Sequence, residues 1–176
     1  MNTVWIGLIG TLSGVLIGGI VSYFVSYAQF NRDKKLKEQQ IIQQKLEEIC
    51  ETAEGISRSY TNLMSEAMMF IGFGKKMQIK NGPIPFNKLK MLIYFYAPGL
   101  KEIYNQLYDA SFLHSESMIY LLNSTSNDDK KAWLSIIRNL NKLMTNQCTA
   151  LIEGSANIIR GHFENKTGYF KEQIKN

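Results

Sequence analysis

Residues 41–70 read IIQQKLEEICETAEGISRSYTNLMSEAMMF, and their spacing decides how the chain folds. Ile42, Leu46, Ile49, Ala53, Ile56, Tyr60, Leu63, Ala67 and Phe70 recur alternately four and three residues apart. An interval averaging about 3.5 residues keeps one side of an α-helix turned the same way, so the run predicts a long helix with a coiled-coil-like apolar seam. The positions flanking the seam mix Lys45, Cys50, Thr52, Ser57, Ser59, Met64 and Glu66, without the opposed Glu and Lys ladder of a self-sufficient dimer. Packing against the chain's own later helices is therefore expected at least as much as pairing with a second copy.

Upstream, residues 1–30 contain no Lys, Arg, Asp, Glu or His. The apolar run from Val4 to Phe30 would extend roughly 40 Å as a helix, more than a bilayer's hydrocarbon core requires, and predicts a transmembrane anchor over residues 1–30. Gly10, Gly14 and Gly18 form two GxxxG steps. Glycine at every fourth position leaves a groove that lets a second backbone approach, so these three residues are the candidate site of helix association in the membrane. Ser26-Tyr27-Ala28 would pass as a signal-peptide cleavage site, but no Lys or Arg precedes the run and it exceeds a signal core in length, which favours an uncleaved anchor. Arg32, Lys34, Lys35 and Lys37 follow the run at once as a basic collar. Cationic flanks stay in the cytoplasm, so the expected location is the inner (plasma) membrane, crossed once, with the N-terminus outside and the body cytoplasmic. With Gly55 the one helix breaker between Phe30 and Phe70, the anchor is expected to continue into a juxtamembrane long helix over residues 31–71, with residues 31–40 either helix or hinge.

Downstream, Gly72-Phe73-Gly74 and Asn81-Gly82-Pro83-Ile84-Pro85 should end that helix in a distal loop over residues 72–86. Leu89, Ile93, Tyr96, Leu100, Ile103, Leu107 and Ala110 predict a second helix from near Asn87, kinked or interrupted at Pro98-Gly99. Asn123 to Asn127 reads as a polar loop, with Ser126 or Asn127 capping a further helix whose first turn holds Asp128 and Asp129. Trp133, Ile137, Leu140, Met144, Leu151 and Ile158 mark its apolar face, and residues 166–176 read as a tail. The expectation is an all-α fold: one transmembrane helix continuing into an up-down-up antiparallel cytosolic bundle, which residues 87–165 complete as a helical hairpin. That geometry would return Asp128 and Asp129 to the basic collar.

The net charge of +5 is mild, and its placement matters more than its size. No Asp or Glu occurs over residues 67–101, whereas Lys75, Lys76, Lys80, Lys88 and Lys90 form a candidate patch for an acidic partner protein. Arginine is absent from it and no nucleic-acid-binding motif is present, so nucleic acid is not expected. Gly72-Phe73-Gly74-Lys75-Lys76 lacks phosphate-loop spacing. Cys50 and Cys148 are far apart and outside any CxxC pattern, and His114 and His162 lie in no ligand motif. No catalytic, cofactor-binding or metal site is expected.

These features point to a non-enzymatic, single-pass membrane protein that self-associates and docks partners as a scaffold or sensor. The alternative is a holin-like or toxin-like effector whose glycine-lined anchors cluster to permeabilise the membrane. A water-filled pore wants a hydrophilic stripe, and the anchor offers only Thr3, Thr11, Ser13, Ser22, Ser26 and Gln29, mostly near its ends, which favours the scaffold.

Overall fold

The computed structural model describes residues 2–74 and 83–173, and the side chains of residues 14, 15, 17–74 and 83–161. The described residues form α1 (Asn2–Phe73), α2 (Phe86–Tyr96), a single 3-10 turn (Pro98–Leu100), α3 (Lys101–Asn123) and α4 (Asn127–Gln173), with no strand among them. The chain divides into two compact units, Met1–Ile42 and Gln43–Asn176. The first is helical, and residues 31–40, the stretch open to either reading, are helix. Among the described residues no helix is long and apolar enough to cross a membrane. The side chains of residues 1–13 and 16, about half of the expected anchor, lie outside them.

In the second unit, α1 turns the expected seam inward. Leu46, Ile49, Ala53, Ile56 and Ala67 are wholly buried and Tyr60 nearly so, while Leu63 and Phe70 are half-buried, as is Ile42 at the end of the first unit. The helix stops where glycine permits it. Gly74 takes a positive φ of 62° and its N–H donates to the Phe70 carbonyl at 3.1 Å, the left-handed cap that satisfies one of the last free carbonyls.

The largest departure from the sequence reading lies at Pro98-Gly99. Ala97 leaves the helical region, at φ −140° and ψ 56°, and Pro98 opens the 3-10 turn. The chain does not kink there; it reverses. Lys101 Nζ sits 4.5 Å from the Tyr94 ring centroid, the Tyr104 hydroxyl donates to the Phe86 carbonyl at 3.4 Å, and the Phe86 and Tyr108 rings lie 5.7 Å apart. Residues 86 to 94 thus run antiparallel to residues 101 to 108, so α2 and α3 are separate helices. Tyr60 meets His114 at 4.9 Å between ring centroids, and Met64 and Ala67 pack with Met118 and Leu121, so α3 runs parallel to α1. Against α4, by contrast, the numbers fall as those on α1 rise: Cys50 Sγ lies 3.9 Å from the Ile152 carbonyl, Ala67 packs with Ile137, and Lys130 Nζ lies 5.5 Å from the Phe70 ring centroid. The expected up-down-up order is corrected to up-down-up-down over four helices.

This order moves the loop before α4. Ser126 caps α4, its hydroxyl accepting from the Asp128 N–H at 3.2 Å, and the loop lies at the Phe70 end of α1, not at the Gln43 end where a three-helix path would put it. Asp128 pairs within its own helix, with Oδ1 3.8 Å from Lys131 Nζ.

The reversal seats Leu100 on α4 at Gly154. A Cβ at that glycine would stand 2.5 Å from Leu100 Cδ2, and Leu100 is itself buried, so the absence of a side chain is what lets the α2–α3 turn close onto α4. Gly154→Val should lower unfolding free energy by about 1–3 kcal/mol through overpacking. Gly154→Ala should cost less, because its gain in helix propensity, about 1 kcal/mol, offsets a small shift of Leu100. Urea unfolding of the two variants checks the order.

Candidate functional site

Three surfaces and one interior cluster hold the residues on which function could rest. The seam is the simplest. Its buried members face α3 and α4 of the same chain, as the Tyr60–His114 contact and the packing of Met64 and Ala67 with Met118, Leu121 and Ile137 establish. The face that reads as a coiled-coil seam is thus already covered.

The interior cluster is polar where α1 and α3 meet. Ser111, His114 and Ser117 from α3 are buried, with the His114 ring against Tyr60 of α1, and Ser155 of α4 is buried apart from them, next to the Gly154 that receives Leu100. Serines on α3 turn inward at low cost because each hydroxyl donates to a carbonyl of the preceding turn, Ser111 to Tyr108 at 2.6 Å and Ser117 to Leu113 at 2.8 Å. His114 has no such outlet. It is 1% exposed, its Nε2 has no hydrogen-bond partner, and burial pushes its pKa down to about 4. The edge-on Tyr60 ring holds it as a neutral, structural imidazole. Cys148 is buried and its thiol is pushed up to about 12 by that burial, while Cys50 is half-buried and raised for the same reason; both are free. Neither is a ready nucleophile. Among the described residues no group of three or more His, Cys, Asp or Glu is placed to hold a metal ion. His162 lies outside the described side chains.

The basic residues separate into three sets. Arg32, Lys34, Lys35 and Lys37 are exposed on the first unit. Lys75, Lys76 and Lys80 lie outside the described residues. Of the remaining patch, Lys88 pairs with Glu48 Oε1 at 2.7 Å while Lys45 takes Glu48 Oε2 at 2.8 Å, and the hydrogen bonds from these two ammonium groups hold the Glu48 carboxyl down to about 2. That triad ties α2 to α1. Lys90 is exposed, with Nζ 5.7 Å from the Tyr94 ring centroid, and Lys101 lies over the same ring. Of the five lysines, one is tied to Glu48, one is exposed on α2 over the Tyr94 ring, and three fall outside the described residues.

Of the membrane glycines, Gly14 and Gly18 are exposed with open space where a Cβ would stand, and Gly10 lies outside the described side chains. Two apolar rows are exposed, of which the one on α3 has no counterpart among the surfaces expected from the sequence, while Tyr94 and Phe95 on α2 are aromatics interleaved with the candidate lysine patch. On α3, Tyr108, Phe112, Ile119 and Leu122 project outward, and on α2, Met91, Tyr94 and Phe95 do. A second 4-3 pattern through 108, 112, 115, 119 and 122, beside the inward one, was the signal that could have revealed the first.

His114 carries a pH dependence with a definite sign. The folded chain protonates it only near pH 4, whereas the unfolded chain does so near 6.5. Its destabilising effect is absent above about pH 6.5 and grows as pH falls toward 4, to on the order of 3 kcal/mol. His114→Phe should flatten that part of the stability profile in denaturant titrations at graded pH; an unchanged slope would remove the assignment. No protein-family model, curated protein or solved structure matches the chain.

Proposed function

We propose that the chain is a membrane-anchored, non-enzymatic scaffold that assembles with copies of itself and docks further partners from its helical body. One observation carries the reading: the described side chains between Gly14 and Phe30 are all exposed, among them Val15, Ile17, Ile20, Val21, Phe24 and Val25, and no charged residue relieves them before Arg32. A helix apolar on every side is unfavourable in water at roughly 25 cal/mol per Å² and needs lipid or other helices around it. The bilayer supplies the first, and the open faces of Gly14 and Gly18 admit the second. The basic collar at residues 32–37 supports an inner-membrane location with the N-terminus outside and the body in the cytoplasm.

Replacing Gly10, Gly14 and Gly18 together by Ile should weaken self-association of the full chain about tenfold in a membrane two-hybrid or cross-linking assay. Unchanged association would remove the glycine groove. A reporter fused at Asn176 should be active only in the cytoplasm, and periplasmic activity would reverse the orientation. Depolarisation of cells on expression would replace the scaffold with the membrane-permeabilising effector.

A further inference from the structure

We infer that the exposed face of α2 is a second membrane contact, which inserts into the surface of an anionic bilayer. In this helix the buried side consists of Leu89, Leu92 and Ile93. The opposite side presents Met91 at 62% exposure, Phe95 at 74% and Tyr94 at 42%. Lys90 and Lys101 both reach the Tyr94 ring, at 5.7 and 4.5 Å from its centroid, so two ammonium groups flank the protruding apolar residues. Met91 and Phe95 lie one turn apart and form a short apolar wedge, and the lysines stand beside it, against the tyrosine ring. This is the layering of a bilayer interface, with alkyl and phenyl groups in the acyl region, an amphipathic ring at the boundary and ammonium groups among the phosphates.

The charge around the wedge has the sign such a surface requires. No Asp or Glu occurs over residues 67–101. On α1, Glu48 is neutralised by Lys45 and Lys88, while Glu102 at the start of α3 accepts a hydrogen bond from the uncharged Gln106 side chain at 3.2 Å and remains the one acid next to Lys101 in sequence. Lys90 and Lys101 are thus the cations beside the wedge that can meet an anionic surface.

Shape favours a bilayer over an acidic protein. Met91 and Phe95 project from a convex helix, and a fluid lipid surface accommodates a protrusion that a protein partner would have to match with a cavity. Lysines, as point charges without a planar fork, suit the diffuse charge of headgroups better than the paired carboxylates of a peptide. The contact is independent of the proposed anchor at residues 1–30, since it uses α2 and the start of α3 alone.

The test uses the full chain with Met91→Cys, with Cys50 replaced by Ser and Cys148 left in its buried place. An environment-sensitive fluorophore on the thiol introduced at position 91 is followed in liposomes of phosphatidylcholine with and without phosphatidylserine, with brominated lipid as a depth-sensitive quencher. The expected result is a blue shift and quenching in the phosphatidylserine liposomes, reversed by high salt and reduced about tenfold in apparent lipid affinity by Lys90→Gln with Lys101→Gln. A label at Asn139, exposed on α4, should not be quenched. No quenching at position 91 would overturn the inference. So would a blue shift without quenching, which would mean that protein, not lipid, covers the face. Alkaline carbonate extraction of the same samples separates the two membrane contacts. A chain that resists extraction but shows no quenching at position 91 has the anchor and lacks the α2 contact, whereas an extractable chain that is quenched at neutral pH has the α2 contact alone.

Discussion

The apolar seam of α1 has to be covered, and most of the second unit follows from how that is done. Leu46, Ile49, Ile56 and Tyr60 would each forgo about 1.5–3 kcal/mol if left in water, and no single neighbouring helix encloses a seam that turns steadily around its helix axis. Two later helices divide the seam between them. One is α3, which covers it through His114, Met118 and Leu121, and the other is α4, which does so through Ile137. For α3 to present those residues in that order it has to run parallel to α1, and a chain that leaves the end of α1 must first travel back to reach that starting point. By Phe86 the chain lies beside Tyr60, the short α2 carries it on to Glu48 through Lys88, and Pro98-Gly99 ends the return.

The same arrangement decides what stays outside. Once α1 is covered, α2 has committed one side to Leu89, Leu92 and Ile93 and keeps Met91, Tyr94 and Phe95 outward, and α3 keeps Tyr108, Phe112, Ile119 and Leu122 outward. On α3 the inward face mixes Tyr104, Leu107, Ala110, Met118 and Leu121 with two serines and a histidine, while further aromatic and aliphatic residues face out. An inward Ser costs little when its hydroxyl bonds to the preceding turn, but the unpartnered His114 Nε2 is a standing penalty that a hydrocarbon would avoid. The interior is thus less apolar than the sequence had material to make it, and the unused apolar residues are on the surface, where they suit contact with lipid or with further helices.

Much of this was legible in the residues. The 4-3 spacing from Ile42 to Phe70 marked both the helix and its buried side, Gly74 marked its end, and Ser126 with Asp128 and Asp129 marked the start of α4. The reversal at Pro98 was hidden for a specific reason. Leu89, Ile93 and Tyr96 before the turn and Leu100, Ile103 and Leu107 after it keep one unbroken 4-3 rhythm, so two antiparallel helices with inward faces in the same phase look like one bent helix. The error then carried into every address beyond the turn, which placed Asp128 at the wrong end of the bundle. Gly154 was equally silent, since a glycine inside a helix reads as a mild defect until the side chain that needs its space, Leu100, is brought against it. As for candidate sites, the seam was readable because burial follows periodicity. The lysines were not, because which of them pairs with Glu48 depends on how α2 lies across α1.

The central claim is the up-down-up-down order, and paired spin-label distances test it most directly. In the full chain with Cys50 replaced by Ser, labels at Met69 and Asp129 should report a short distance, because Lys130 reaches the Phe70 ring. Labels at Glu47 and Asp129 should lie on the order of 30 Å apart, the axial rise of about twenty helical residues. The reverse result, with Asp129 close to Glu47 and remote from Met69, would restore a three-helix path and contradict the account.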